Sequence, residues 1–142
     1  MTNDFVLDTR LANDCLILGK LDLSLLLLMN NSLVPWFILV PNTNKTEMTE
    51  LPLPDQDTLL KEINLISGYI KANFGISKLN TAAIGNIVNQ LHIHIVGRDP
   101  SDYCWPNVVW GENEKMPYTD NQVTVISTAL TEQLGKKFSI HS

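Results

Sequence analysis

The sequence predicts an α+β fold in which a mostly antiparallel sheet of five strands carries one main helix and one C-terminal helix. Three observations lead there. Apolar residues recur at helical spacing near 55–74 and 119–136, and elsewhere in short runs bounded by Asn, Gly and Pro. The elements follow in the order strands, helix, strands, helix. The connections are too short for repeated parallel crossovers, each of which needs a dozen or more residues, so neighbouring strands run antiparallel.

Each element has its own reason. Residues 5–13 read as a short amphipathic helix with Phe5, Leu11 and Ala12 as core contacts. Cys15–Gly19 reads as a strand ending in a turn, and Lys20–Asn30 as a second strand whose leucine run, Leu25 to Leu28, suits burial on both faces or at a contact between copies. Asn30, Asn31 and Ser32 are loop formers, because their side chains hydrogen-bond their own backbone. A third strand, Trp36–Val40, is confined by Pro35 and Pro41, and 42–54 is a Pro-bearing polar loop. Leu59, Leu60, Ile63, Ile66, Ile70 and Phe74 then define the main helix over 55–74, with Gly75 as its stop. Lys78–Ile84 and Leu91–Val96 are the last two strands, with Gly85 and Asn86 turning between them. Residues 99–117 form a long loop. The C-terminal helix starts at Thr119 or Asp120 and buries Val123, Ile126, Leu130 and Leu134.

Composition narrows the function. A chain of 142 residues with 44% apolar content is read as one domain able to bury a core without staples. A net charge of −5 argues against a nucleic-acid partner, whose binding rests on clustered Lys and Arg, but leaves room for a small anionic ligand. Cys15 and Cys104 lie far apart and fit two free thiols in a reducing compartment. The start has no signal-peptide pattern, and the longest apolar run is far short of the roughly 20 residues a bilayer span needs, so the expectation is a cytoplasmic protein without a membrane partner.

The chemistry concentrates in Gln90-Leu91-His92-Ile93-His94-Ile95-Val96-Gly97-Arg98. Two of the three histidines of the chain stand here at i and i+2. In a strand that spacing turns both imidazoles to one side and sends Leu91, Ile93 and Ile95 to the other. A half-exposed polar strand face would explain one histidine more easily than this paired set. A metal half-site is a second reading. Catalytic zinc takes three protein ligands, so Asp99 or Asp102 would have to join the pair, His141 being close to the C-terminus. The third reading is nucleophilic: neutral imidazole attacks phosphorus and forms a phosphoramidate that water hydrolyses, while neighbouring N–H groups stabilise the phosphoryl charge.

The segment resembles the signature of the histidine triad (HIT) superfamily, His-φ-His-φ-His-φ-φ with φ apolar. Trp36 to Pro41 is similar to the family's upstream strand ending in Pro, the helix over 55–74 stands where the family has its main helix, Leu79-Asn80 and Gly85-Asn86 are similar to elements before the signature, and Trp105-Pro106 to a pair after it. The resemblance covers roughly residues 5–111 and is nearest to a bacterial group of HIT-like hydrolases with Gln-Leu-His-x-His. It implies a five-stranded antiparallel sheet with two helices, a homodimer, a nucleotide substrate cleaved at its α-phosphate (a dinucleoside polyphosphate or a nucleoside phosphoramidate) and no cofactor or resident metal. It makes His92 the nucleophile and His94 its phosphate-supporting neighbour, and puts Asn80 near the phosphate and Asn30 near the ribose.

Two positions depart from the family pattern. Gln90 stands where the first histidine of the triad would be; it can hydrogen-bond phosphate or the leaving group but has no titratable proton. Trp36 stands where an upstream histidine is often found, and an indole stacks or packs but is no acid. These departures keep open a nucleotide-binding protein with little turnover, beside a metal-dependent hydrolase using the His-x-His pair. Arg98 is a candidate phosphate partner or a surface salt bridge. Trp105 and Trp110 are candidates to cap a base or to pack in a core or interface, and Asn86 and Asn107 are candidate ligand contacts.

Overall fold

Leucine, isoleucine and valine saturate both faces of the middle strands, and that composition puts them at the centre of the sheet. The computed structural model describes residues 5–141. Its strands are β1 (Cys15–Lys20), β2 (Ser24–Met29), β3 (Trp36–Pro41), β4 (Lys78–Ala83), β5 (Ile93–Arg98) and β6 (Ser139–Ile140); its α-helices are α1 (Thr9–Asp14), α2 (Leu53–Phe74) and α3 (Asp120–Leu134). They form one sheet in the order β4-β5-β3-β2-β1-β6, with every neighbouring pair antiparallel.

The sheet separates two apolar layers. On one face Leu26, Leu28, Phe37, Leu39, Ile93 and Ile95 pack under Leu59, Ile66 and Ile70 of α2 and Ile126 and Leu130 of α3. On the other, Leu27, Trp36, Ile38, Val40 and Val96 are covered by Leu11 of α1 and by Val109 from the loop after β5. The second layer is the one that carries the histidines.

Several boundaries differ from the sequence expectation, each for a physical reason. The sheet has six strands, not five, because Ser139–Ile140 adds to the free edge of β1 and His141 N–H donates to the Leu18 carbonyl at 2.9 Å. Gly19 is not a turn residue. It lies inside β1 beyond a register shift, and a Cβ there would overlap the Ser139 carbonyl oxygen and sit 2.7 Å from the Phe138 ring, so glycine is what allows β6 to close in. The stretch from Lys20 to Asn30 is not one strand, since Leu21 N–H donates to the Ser24 carbonyl at 2.8 Å and closes a turn before β2. The first helix begins only at Thr9, capped by the Asp8 carboxylate, which accepts from Arg10 N–H; Phe5 and Ala12 flank or belong to a shorter element than the 5–13 expectation. The main helix starts two residues early, at Leu53, with Pro at its opening, and ends on Gly75 in the left-handed region at φ 64°. A short 3-10 turn, Met48–Glu50, interrupts the loop before it. α3 is capped by Thr119 and Gln122 in a reciprocal capping box.

Candidate active site

β5 is a central strand held by β3 on one side and β4 on the other, so its side chains have fixed directions. Leu91, Ile93 and Ile95 enter the helix-side core as alternation requires, and His92 and His94 turn to the other face. His94 stands opposite Ile38 of β3 and Ala82 of β4, and His92 directly precedes the ladder. Both histidines are buried, and their rings approach to 4.9 Å between centroids at 66°.

The ring nitrogens are assigned by their partners. His92 Nδ1 is 2.7 Å from the backbone carbonyl oxygen of Gln90. A carbonyl can only accept, so Nδ1 carries the proton and the neutral ring keeps its lone pair on Nε2. His94 Nδ1 accepts the indole N–H of Trp36 at 2.9 Å. An indole can only donate, so the His94 proton resides on Nε2. Burial brings the His94 imidazole down to about 4, and the charge of His92 acts in the same direction. Trp110 closes the other side of His94 edge-on at 5.4 Å and Trp36 at 6.0 Å; its own indole N–H is buried with no acceptor among the described residues.

Gln90 is committed elsewhere. Its amide oxygen accepts Asp8 N–H at 2.8 Å and its amide nitrogen donates to the Val6 carbonyl at 2.9 Å. The side chain thus pairs with the N-terminal segment as a strand would, and fixes that segment beside the histidines. Asp8 interacts electrostatically with His92, and its hydrogen bonds with Arg10 hold its carboxyl below the usual range. Arg10 in turn donates to the Ile87 carbonyl at 3.0 Å, so the N-terminal segment is tied to both ends of the turn before β5.

Arg98 is a buried ion pair, not a surface one. Its Nε and Nη2 bind the Asp102 carboxylate at 2.8 and 3.1 Å, Nη1 donates to Asn80 Oδ1 at 2.9 Å, and Nη2 also reaches the Asn107 carbonyl at 2.7 Å. Asn80 and Arg98 therefore bind each other across β4 and β5, and the Asn107 contribution is its backbone. Trp105 is 38% exposed and lies 5.6 Å from the Arg98 guanidinium carbon. Asn86 is exposed in the turn before Gln90. Asn30 accepts Tyr118 N–H at 2.9 Å and lines a cavity of about 250 Å³ that Trp36 shares and neither histidine reaches. A narrower cleft beside His92 is lined by Thr46, Glu47, Gly85, Asn89 and Gln90.

The structure thus brings His92, His94 and the Gln90 backbone together, and gathers Asn80 and Arg98 into a separate support. The residues that sequence reasoning missed are the donor role of Trp36, the nearness of Asp8 and the pairing of Asp102 with Arg98. The one available signal was periodicity: Trp36 and Ile38 share a face of β3, and so does any residue of β5 opposite Ile38. Among the described residues no three His, Cys, Asp or Glu side chains converge as a metal site. Asp102 is taken by Arg98, and Asp99 accepts from Ser101. No described helix is long and apolar enough to cross a membrane.

An antiparallel α+β sheet with two imidazoles packed edge to face on one side of an interior strand defines a histidine triad protein. The chain belongs to the HIT family: the HIT domain model matches residues 10–101. It is similar in structure to a histidine triad protein from Marinobacter aquaeolei, with 40% identity over 94% of this chain and 98% of that one and a TM-score of 0.88. A histidine triad protein from Sinorhizobium meliloti aligns at 38% identity over 91% and 96% of the two chains, TM-score 0.87. One from Bradyrhizobium japonicum aligns at 35% identity over 91% and 97%, TM-score 0.86. No curated protein matches the sequence.

Proposed function

We propose that this chain is a nucleotide hydrolase or nucleotidyl transferase that works at the α-phosphate of a dinucleoside polyphosphate or nucleoside phosphoramidate through a nucleotidyl-His92 intermediate. The observation that carries the reading is the 2.7 Å contact between His92 Nδ1 and the Gln90 carbonyl, which leaves Nε2 as the free lone pair. Nε2 attacks the α-phosphorus, the bond from phosphorus to the leaving group breaks, and the leaving group departs with the electron pair, a phosphate group as its anion and an amine after taking a proton from solvent. The adduct carries a proton on Nδ1 and is cationic; the Gln90 carbonyl and the Asp8 carboxylate stabilise that charge. Water then attacks phosphorus, its proton passes to solvent, and the N–P bond breaks to restore neutral His92 and free nucleotide. His94 Nε2–H supports a phosphoryl oxygen in both steps. The same reading takes the protein as a homodimer, by resemblance to its family, as cytoplasmic, in keeping with its two free thiols, and as a single domain.

The committed Gln90 amide favours one alternative, a nucleotide-binding protein with little turnover. Incubation with a dinucleoside polyphosphate and with an adenosine phosphoramidate, with and without chelator, decides between them. The expected result is an acid-labile nucleotidyl adduct by intact mass and nucleotide release, both lost in His92→Ala and indifferent to chelator. Binding without adduct or release selects the alternative. Loss of release on chelation, with zinc bound, selects a metal-dependent hydrolase.

A further inference from the structure

We propose that Trp36 is a positioning residue: its indole N–H holds His94 as a neutral imidazole with a single outward donor, Nε2–H, so that His94 binds a phosphoryl oxygen and does not give a proton to the leaving group. The inference rests on the reading of His94 as the phosphate-facing neighbour of His92.

The geometry leaves His94 one tautomer. Trp36 faces Val96 and Ile38 faces His94 in the β3–β5 ladder, so Trp36 and His94 are diagonal neighbours on one face of two central strands. Both side chains are buried and 2.9 Å separates Nε1 from Nδ1. Moving the proton to Nδ1, or adding a second proton, would set one N–H against another at that distance and lose the bond. The groups facing His94 act the same way. Ile38 of β3, Ala82 of β4 and Trp110 of the loop after β5 carry no charge. His92 is the titratable neighbour, and Asp8 acts from the N-terminal segment on His92. With the Gln90 amide tied to Val6 and Asp8, the strand that carries the nucleophile offers hydrogen-bond donors and no acid. The burden of departure falls on the leaving group itself, and cleavage slows steeply as its basicity rises.

The test is nuclear magnetic resonance of the full chain labelled with 15N-histidine, a tractable spectrum because the sequence has three histidines. Long-range proton–nitrogen correlations report which ring nitrogen is protonated. The expected result for His94 is one tautomer, protonated at Nε2, throughout neutral pH. Trp36→Phe keeps a ring but removes the donor; His94 then shows both tautomers, and its titration midpoint rises by about one pH unit, the equivalent of one neutral hydrogen bond. A site-specific benzothienylalanine at position 36, which replaces the N–H by sulfur in the same shape, gives the same shift where Phe perturbs folding. An Nδ1-protonated His94 in the unsubstituted chain overturns the proposal, as does an unchanged tautomer and midpoint in either variant. The measurement uses no substrate. Failure to form an adduct at His92 would sink the proposed function and leave the assignment of the His94 tautomer to Trp36 standing, and an adduct that forms beside an unaltered His94 would sink this inference alone.

Discussion

Arg98 and Asp102 form a two-pronged ion pair in the interior, with Nε to Oδ2 at 2.8 Å, Nη2 to Oδ1 at 3.1 Å and side chains 2% and 6% exposed. The pair joins the end of β5 to the loop that carries Val109 and Trp110 back over the histidine face. Asp102 also accepts the backbone N–H groups of Asp99, Cys104 and Trp105, so one carboxylate shapes the whole turn. Removing it leaves a buried guanidinium without its counter-charge, and breaking such pairs costs about 3–5 kcal/mol. Asp102→Ala is therefore expected to lower stability by that amount in urea unfolding and to raise the exposure of Trp110 to a fluorescence quencher. An unchanged midpoint would show that the loop is held by its apolar contacts instead.

The same carboxylate sets an acid limit. Burial opposes its ionisation, but the hydrogen bonds from Arg98 and the turn prevail and bring it down to about 2, from 3.8. A depressed acid contributes stability above its unfolded value and loses it as pH falls through the folded one. The contribution is about 2 kcal/mol, lost between roughly pH 4 and pH 2. Asp102→Asn is expected to flatten the fall of thermal stability across that window in calorimetry, and a fall that keeps its full depth would contradict the assignment.

Gly97 sits where β5 passes Pro35 and α2. A Cβ there would lie 2.7 Å from Pro35 Cγ and 2.9 Å from Ile70 Cγ2, a rigid ring and a core side chain. Gly97→Ala overpacks this point and is expected to cost about 1–3 kcal/mol. Because Gly97 N–H also donates to the Pro35 carbonyl at 2.8 Å, the displacement should extend along β5. The check is a shift of His94 resonances that accompanies the lost stability; stability lost with those resonances in place would confine the strain to the helix side.

What could be read in advance, and what could not, divides by range. The alternation Leu91-His92-Ile93-His94-Ile95 is local, and it correctly set the histidines against the core. The helical repeat from Leu59 to Phe74 likewise located α2 within two residues of its start. Long-range partners left no local trace. Ser139–Ile140 is a two-residue strand defined only by its neighbour β1, and Gly19 looked like a turn because nothing nearby in sequence reveals Ser139. Arg98 reads as a surface charge until Asp102, Asn80 and Asn107 are brought around it. Gln90 reads as a ligand contact until its amide meets Val6 and Asp8, 84 and 82 residues away.

Gln90→Ala tests that last tie. The substitution leaves the Asp8 N–H and the Val6 carbonyl without their partner, at a cost of about 1–2 kcal/mol. The expected readout is hydrogen exchange: Asp8 loses protection in the variant while Ile93 and Ile95, inside the ladder, keep theirs. Protection retained at Asp8 would mean that Arg10 and α1 anchor the segment without Gln90.

Glu62 supplies the opposite pH trend. It is a buried carboxylate of α2 whose Oε2 accepts Leu23 N–H at 2.8 Å and so braces the turn between β1 and β2. Burial raises its carboxyl above the ordinary range, against the pull of the Leu23 bond. A raised acid favours the folded state most when protonated: that contribution is complete below its unfolded value of 4.5 and is lost as pH rises through the folded one. Glu62→Gln keeps an acceptor for Leu23 and cannot ionise. It is expected to remove the decline in melting temperature above pH 4.5 and to exceed the unsubstituted protein at neutral pH, whereas Glu62→Ala, which abandons the Leu23 N–H, should fall below it by about 1–3 kcal/mol. Should Glu62→Gln be the less stable protein at neutral pH, the charge itself, and not the acceptor, would be what holds the turn.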